Sequence, residues 1–371
     1  WMDVGMYCMV QFAAGLVAAF GYTMVLGQVV TVEPSNGFSM LTAGACETFY
    51  TFMLCFVVLN VAAAKKNITE KNQYFGLAIG FTVIAGAYGA GAVSGGCFNP
   101  AVALGLDASS YSAGFGTSLV YIPFELVGAA LAAGLFSVVR PEDFGGEKGN
   151  MQKLVSEFLG TYMLVLTVGL NVLAGANAAA LSIACSLAAM IFALGDVSGA
   201  HLNPAVTCAI FCSGRDKDLT PAQAGSYMVS QVLGGVAAGV TYATVYSFKG
   251  LSGVAAGDGY TLSQALVAEA VFTFLLSFTV LCVAVSNLTK ASHYFGLAIG
   301  FCVVVGGFGI GSISGGALNP AVALGIASVG GGAVNAAAYT GVELLAGAAA
   351  AGVFKLTHDV ELESQAAKSL V

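Results

Sequence analysis

Ten apolar runs, separated by short polar stretches, limit what this chain can fold into. Each run is about 20 residues long, the length that a helix needs to cross the hydrocarbon core of a bilayer. The chain is 58% hydrophobic and only 8% charged, whereas a soluble domain carries about 25% charged residues. The sequence therefore predicts an all-α, multi-pass membrane protein. The runs lie near 6–27, 44–64, 74–93, 116–139, 153–174, 177–196, 224–247, 263–285, 294–313 and 332–355.

Charge and cysteine usage exclude several classes of protein. The net charge is −7 and no basic stripe is present, which argues against a nucleic-acid partner. The nine cysteines lack paired spacing, so we expect neither a disulfide framework nor a metal site. No His, Cys, Ser or carboxylate constellation has catalytic spacing. We expect no enzymatic activity and no cofactor.

Three near-identical segments interrupt the apolar pattern with Asn followed by Pro: "SGGCFNPAVALG" at 94–105, "SGAHLNPAVTCA" at 198–209 and "SGGALNPAVALG" at 314–325. Asn is a favoured N-cap and Pro suits the first helical position, so each segment predicts a helix start. The apolar pieces that follow would reach about 15 Å, half of the core. The start residues are Asn99, Pro100, Ala101, Asn203, Pro204, Ala205, Asn319, Pro320 and Ala321.

These half-helices predict a pore. Non-helical backbone survives at membrane depth only where protein buries it or where it lines a water-filled cavity. We expect the half-helices at Asn203 and Asn319 to point their positive dipole ends at each other near the midplane. Because each Asn oxygen caps its own helix, the amide NH2 should face the gap as a donor.

An internal repeat divides the chain into two modules. "YFGLAIGF" at 74–81 recurs at 294–301 and "NPAVALG" at 99–105 recurs at 319–325, both with an offset of 220 residues. We therefore interpret 1–139 as a partial copy, 140–152 as a linker, 153–358 as a complete module and 359–371 as a tail. In the complete protein we expect about 80 to 100 further residues before Trp1, the length of two spans and one half-helix.

A weaker repeat lies inside the second module. "SEFLGTYMLVL" at 156–166 resembles "AEAVFTFLLSF" at 268–278, and each precedes a span and then an Asn-Pro-Ala. Three spans separate the two copies, and an odd number reverses orientation in the membrane. The halves are therefore predicted to be inverted repeats, a layout common in transporters.

The basic residues predict the topology. Eleven of the twelve Lys and Arg residues fall on the side of the 140–152 linker, and only Lys249 falls on the other. Under the positive-inside rule, the linker and the C-terminus are cytosolic. The sequence does not indicate whether the membrane is plasma or vacuolar.

With these motifs in place, the chain resembles the aquaporins of the major intrinsic protein family, through "SEFLGTY", "SGAHLNPAVT", Gln231, Glu269 and "SGGALNPAV". The resemblance implies a six-helix bundle with two re-entrant half-helices, assembled as a tetramer of independent pores. Because this chain holds two modules, we expect a dimer of chains that forms a pseudo-tetramer. The resemblance also implies that Glu157, Glu269 and Glu47 accept backbone N–H groups of the re-entrant loops.

The resemblance further assigns four positions to the narrowest part of the pore: Ile183, Gly307, Gly316 and Val322. Water-selective members typically carry a bulky aromatic, a His, a small residue and an Arg there. This sequence departs at the first, second and fourth, in a way that resembles tonoplast-intrinsic aquaporins. It therefore predicts a wide, apolar filter. The counterparts in the first module are Ala87, Gly96 and Val102.

Two functional hypotheses follow. The first is a passive channel for water and small neutral solutes, among them ammonia, urea, hydrogen peroxide and glycerol. The second is a non-conducting structural or assembly subunit with the aquaporin fold. Glu125 and Glu343 lie in final spans where the family usually has Pro or an apolar residue, and two interpretations stay open for them: contact between subunits and support of a re-entrant loop.

Overall fold

A computed structural model describes residues 1–35, 37–70, 72–287, 289–290 and 293–358. These residues form helices and connecting loops without a β-strand. The predicted tail 359–371 lies outside the described residues, so the structure does not bear on the cytosolic position predicted for it. Within the described ranges, ten helices are long and apolar enough to span a membrane, which confirms the number predicted from the sequence.

The helices are numbered in chain order. The second and the eleventh each continue as a short π-helix, Leu59–Ala63 and Leu281–Val285. The helices are α1 (Met2–Leu26), α2 (Met40–Val58), α3 (Lys65–Glu70), α4 (Phe75–Ser94), α5 (Pro100–Ser109), α6 (Thr117–Val139), α7 (Asn150–Ala174), α8 (Ala179–Ser198), α9 (Pro204–Ser213), α10 (Pro221–Val245), α11 (Leu262–Val280), α12 (Phe295–Ser314), α13 (Pro320–Gly330) and α14 (Ala333–Thr357).

Capping residues explain where the observed helices depart from the apolar runs. Helix α10 begins at Pro221 because Thr220 accepts the backbone N–H of Gln223 at 3.2 Å and Pro suits the first position. Helix α11 begins after a capping box between Thr261 and Gln264. The sequence prediction used the bounds of the apolar runs, which do not include polar capping residues. It therefore began both helices one to three residues late.

The two modules repeat the same close helix crossings. A Cβ at Gly235 of α10 would lie 2.3 Å from the Ala321 carbonyl oxygen of α13, and a Cβ at Gly15 of α1 would lie 2.5 Å from the carbonyl oxygen of Ala101 in α5. Real Cβ atoms do not approach backbone oxygens so closely. Glycine is therefore required at both crossings, and these crossings fix each half-helix against its span.

Helices α7 and α8 form the face of the second module that contacts the first. Helix α8 packs against α12 of its own module and against α4 of the first, and α4 also contacts α7. Buried polar contacts help to join the modules: the Tyr50 hydroxyl donates to Thr167 Oγ1 at 3.1 Å, and the Ser182 hydroxyl donates to the Ala85 carbonyl oxygen at 3.1 Å. The modules therefore meet through a packed interface inside one chain.

A charged network closes one end of this junction. Arg140, at the end of α6, is 1% exposed. Its guanidinium donates to Asn60 Oδ1 at 2.7 Å and to the Ala193 carbonyl oxygen at 3.1 Å, and lies 3.6 Å from the Asp196 carboxylate. Lys66 contacts the same carboxylate at 3.0 Å. The end of α6 is thereby fixed to the end of α8.

Lys148, in the linker, adds to this network. Its ammonium donates to the Asp196 carbonyl oxygen. Burial lowers the pKa of Lys148, with Arg140 and Lys66 acting in the same direction while Glu142 and Asp196 oppose them. Three cations thus gather around the end of α8.

A candidate pore at the two half-helices

Half-helices α9 and α13 begin at capped asparagines. Asn203 Oδ1 accepts the backbone N–H of Ala205 at 2.8 Å, and Asn319 Oδ1 accepts that of Ala321 at 2.9 Å. In both, Pro occupies the first helical position. The local chemistry that suggested a helix start in the sequence is therefore what forms it in the structure.

The two helix starts contact each other directly. Asn203 Nδ2 donates to the Leu318 carbonyl oxygen at 2.8 Å, and Asn319 Nδ2 donates to the Leu202 carbonyl oxygen at 2.9 Å. One hydrogen of each NH2 group, which the sequence analysis expected to face the gap, therefore bonds to the opposing loop. Among the described residues this is the one partner recorded for each Nδ2, which leaves a second N–H on each amide as a donor.

An unusual backbone conformation turns those carbonyl groups towards the opposite amide. Leu202 and Leu318 have φ values of 52° and 53°, and Phe98, before Asn99, has 53°. A left-handed conformation costs a residue with a side chain about 1–2 kcal/mol. Its recurrence before all three Asn-Pro pairs indicates that the surrounding contacts maintain it.

A buried carboxylate holds each of these strained residues. Glu157 accepts the Ser198 hydroxyl at 2.6 Å and the backbone N–H groups of His201 and Leu202 at 3.0 and 2.7 Å. Its Oε2 also accepts an N–H of the Gln231 amide at 2.7 Å. An acceptor with several lone pairs is what a loop of unpaired donors inside a membrane requires.

The same arrangement occurs at the other two loops. Glu269 accepts the backbone N–H of Ala317 at 2.9 Å and of Leu318 at 2.8 Å. Glu47 accepts that of Cys97 at 3.1 Å and of Phe98 at 2.6 Å. All three glutamates therefore accept backbone N–H groups of the loop that precedes a half-helix.

The sequence analysis missed a set of tyrosines that supports these loops. Tyr227 donates its hydroxyl to the Ser198 carbonyl oxygen at 2.8 Å, and Tyr339 donates to the Ser314 carbonyl oxygen at 3.1 Å. Tyr121 does the same in the first module, with the Ser94 carbonyl oxygen at 2.9 Å. Each tyrosine stands four residues before Gln231, Glu343 or Glu125, and this spacing was the available signal.

A cavity of about 780 Å³ passes the meeting point of the half-helices. It is lined by apolar side chains from α7, α8, α11 and α12, together with polar groups of the two loops. All four predicted filter positions and both asparagines contribute to the lining: Ile183, Gly307, Gly316, Val322, Asn203 and Asn319.

Gly307 has a packing role that the sequence analysis did not anticipate. A Cβ there would lie 2.7 Å from Ala180 Cβ on α8. The glycine therefore allows α12 to approach α8 closely, and part of the space that a side chain would occupy is already filled. Gly316 is less confined, since the nearest atoms to its Cβ position are 3.6 Å away.

The first module arranges its counterparts on an open face. Asn99 Oδ1 accepts the N–H of Ala101 at 2.9 Å, so the helix start is the same. Asn99 and Ala87 are exposed, however, and Val102 is 40% exposed. A Cβ on Gly96 would lie 3.6 Å from the Ala87 Cα. The predicted pore residues of the first module therefore lie near one another, but the described part of the chain does not enclose them in a cavity.

His201 is held in the loop beside Asn203. Its Nδ1 lies 3.1 Å from Thr207 Oγ1, and its ring meets Tyr227 edge-on with centroids 5.2 Å apart. These contacts give the ring a packing role. Within the described ranges, no three or more His, Cys, Asp or Glu side chains are grouped to hold a metal ion.

Comparisons with known proteins agree with this architecture. The family model for "Major intrinsic protein" matches residues 3–136 and 146–355, one match for each module. Aquaporin AqpM from Methanothermobacter thermautotrophicus is 31% identical over 205 residues, covering 46% of this chain and 80% of the relative. Glycerol uptake facilitator protein-like 6 from Lactiplantibacillus plantarum is 33% identical over 186 residues, covering 46% and 81%.

A solved structure, the aquaglyceroporin from Plasmodium falciparum, has a TM-score of 0.48 and 22% identity, covering 57% of this chain and 96% of that one. The family match extends over both modules and nearly all of the described helices. The chain therefore belongs to the major intrinsic protein family, as an integral membrane protein of the aquaporin type that is a channel for water and small solutes rather than an enzyme.

Proposed function

We propose that residues 153–358 form a passive pore whose central donors are Asn203 and Asn319 and which passes water, ammonia, urea, hydrogen peroxide and glycerol. The observation that carries this proposal is the cavity of about 780 Å³ lined by both asparagines and by all four filter positions. The opposed helix starts bring fixed donors to its centre. Hydrophobic side chains line much of the remaining wall.

Water passage follows from the donor geometry. The second N–H of each asparagine donates to the oxygen of a passing water, while the apolar wall offers few competing partners. A water oriented in this way at both lone pairs cannot relay a proton along the file, and the two half-helix dipoles oppose cations. The region around Asn203 and Asn319 is therefore the part of the pore that excludes protons.

Solute range follows from the filter. Ile183, Gly316 and Val322 bring neither a positive charge nor a hydrogen-bond donor on a side chain. One relative of this chain is named as a glycerol uptake facilitator, which supports including glycerol among the solutes. We therefore expect neutral solutes larger than water to enter.

Stopped-flow light scattering on proteoliposomes tests the proposal. The parent should pass water and at least one of urea, glycerol and ammonia. Val322→Arg places a long cation in the filter and should reduce solute flux by about ten-fold while reducing water flux less. Val322→Met is the matched control, because it adds length without charge or donors. A parent that passes water but none of these solutes would show that the filter is narrow.

We further propose that two chains form one ring of four modules, with the linker and the C-terminus in the cytosol. The support is the intrachain contact of α4 with α7 and α8, which puts neighbouring modules side by side. Exposed apolar residues on α12, such as Phe301 and Phe308, offer a further face for assembly. Native mass spectrometry should give two chains per particle, and four would contradict the proposal.

The alternative function is a structural role, in which the first module serves as a wall for α7 and α8, both of which contact its helix α4. A parent that reconstitutes as a folded protein but passes neither water nor solutes would favour this alternative.

A further inference from the structure

Glu343 presents a chemical problem that the pore geometry does not resolve. The side chain lies on α14 and is fully buried. Its Oε1 accepts the backbone N–H of Asn319 at 3.0 Å. Its Oε2 finds no donor in the described part of the chain. The Glu269 carboxylate accepts the backbone N–H of Leu318, the residue before Asn319, so the two carboxyl groups bind adjacent backbone positions. Two acceptor groups therefore face each other inside the bundle.

The other half of the inverted repeat has a donor at the matching position. Gln231 follows Glu157 by 74 residues, and Glu343 follows Glu269 by the same 74. The Gln231 amide donates to Glu157 Oε2 at 2.7 Å and to Thr207 Oγ1 at 2.9 Å. The first half-helix is thus supported by an amide and a carboxylate, and the second by two carboxyl groups.

A single proton resolves the second arrangement. Two ionised carboxylates in contact repel each other strongly in a medium of low dielectric constant. A proton on Oε2 makes Glu343 a donor to Glu269 while Oε1 continues to accept from Asn319, which reproduces the hydrogen-bonding capacity of Gln231. The charge belongs on Glu269, because two backbone N–H groups donate to it, whereas one donates to Glu343.

We propose that Glu343 is a neutral carboxylic acid that donates to Glu269 and positions Asn319 for its role in the pore. The effect on flux rests on the proposed function, whereas the protonation state does not. Glu343 acts through Asn319 and does not itself line the cavity. It is therefore a positioning residue of the second half-helix.

The first module also has a buried acid on its final span. Glu125 on α6 is 1% exposed, and neither of its carboxyl oxygens has a hydrogen-bond partner in the described part of the chain. An acid at this position in both copies is hard to reconcile with an accident of packing. Of the two interpretations left open for these acids, the bond to Asn319 favours support of a re-entrant loop for Glu343.

In the described part of the chain, three other titratable groups lie near Glu343. Glu269 faces it from α11, and Tyr339 lies one turn earlier on its own helix. From α9, the Cys208 thiol donates to the backbone oxygen of Leu344, the next residue. All three are acidic groups, so losing the Glu343 proton at alkaline pH would add a second negative charge without a counter-ion among them.

The first test is spectroscopic and needs no transport. Infrared spectra of the full chain at neutral pH, in H2O and in D2O, should contain the carbonyl stretch of a protonated carboxylic acid that shifts on deuteration. Glu343→Gln should remove part of that signal, and Glu125→Gln together with Glu343→Gln should remove nearly all of it. A signal unchanged in Glu343→Gln, or absent from the parent, would overturn the proposal.

The second test is functional. Glu343→Leu removes both hydrogen-bonding roles at similar volume and should lower water flux per folded protein by about ten-fold or more, which corresponds to one lost interaction of about 1.4 kcal/mol. Glu343→Gln should restore most of that flux and should make it less sensitive to alkaline pH than in the parent. Equal loss in both variants would refute the donor role, whereas a parent without flux would refute the proposed function and leave the infrared result to decide on the proton.

Discussion

Arg140 should be one of the most costly residues to replace at the module junction. Replacing it with Met removes the guanidinium but keeps most of the buried volume. Asn60 Oδ1 and the Ala193 carbonyl oxygen then lose the donors that lie 2.7 and 3.1 Å away. A buried polar group left without its partner costs about 1–3 kcal/mol, so the two together cost about 2–6 kcal/mol.

Two effects reduce this figure. The variant no longer has to bury a charge, which returns part of the desolvation penalty. The ion pair with Asp196 contributes little, because that carboxylate is 25% exposed and also contacts Lys66, and an exposed pair is worth about 0–1 kcal/mol. We therefore expect Arg140→Met to destabilise the protein by about 2–4 kcal/mol.

Thermal unfolding in detergent, followed by circular dichroism, measures the effect. The expected fall in Tm for Arg140→Met is roughly 3–5 °C, given the size dependence of such shifts. Lys66→Met is the matched control, because it removes a cation from the same carboxylate but from a side chain that is 50% exposed. If both variants lower Tm by similar amounts, buried hydrogen bonding at Arg140 does not hold the junction.

Two further predictions concern the support of the half-helices. Gly235→Ala would place a Cβ 2.3 Å from the Ala321 carbonyl oxygen and should lower both Tm and water flux. Gly225→Ala on the same helix is the control, because its Cβ meets nothing within 4 Å and Tm should stay unchanged or rise slightly. Equal effects of the two substitutions would contradict the close crossing. Tyr227→Phe leaves the Ser198 carbonyl oxygen without its donor and should cost about 1 kcal/mol in urea or thermal unfolding; an unchanged Tm would show that another donor replaces the hydroxyl.

The sequence predicted the features that depend on local chemistry. Ten spans followed from the length of the apolar runs, and three half-helices followed from the capping chemistry of Asn and Pro. Both signals depend only on residues close together in the sequence, so they can be recognised without knowledge of the fold. Helix starts were less accurate because the caps at Thr220 and Thr261 lie outside the apolar runs.

The features that depend on distant partners could not be predicted. The left-handed conformation of Leu202 is coupled to an amide 117 residues away in the chain, on Asn319. The space beside Gly307 is occupied by Ala180, and no local sequence pattern predicts this contact. The resemblance implied the roles of the three buried glutamates. The role of Glu343 could be interpreted only from its contact with the backbone N–H of Asn319.

Ser182 and Ile183 are neighbours on α8, but their side chains contact different modules. The Ser182 hydroxyl bonds to the Ala85 carbonyl oxygen of the first module, while Ile183 lines the cavity of the second. After a duplication, two copies joined in this way cannot diverge independently. Because α4 packs against α8, we expect a substitution on α4 to shift the wall behind Ile183, so that natural selection on the permeability of one copy also acts on the surface of the other.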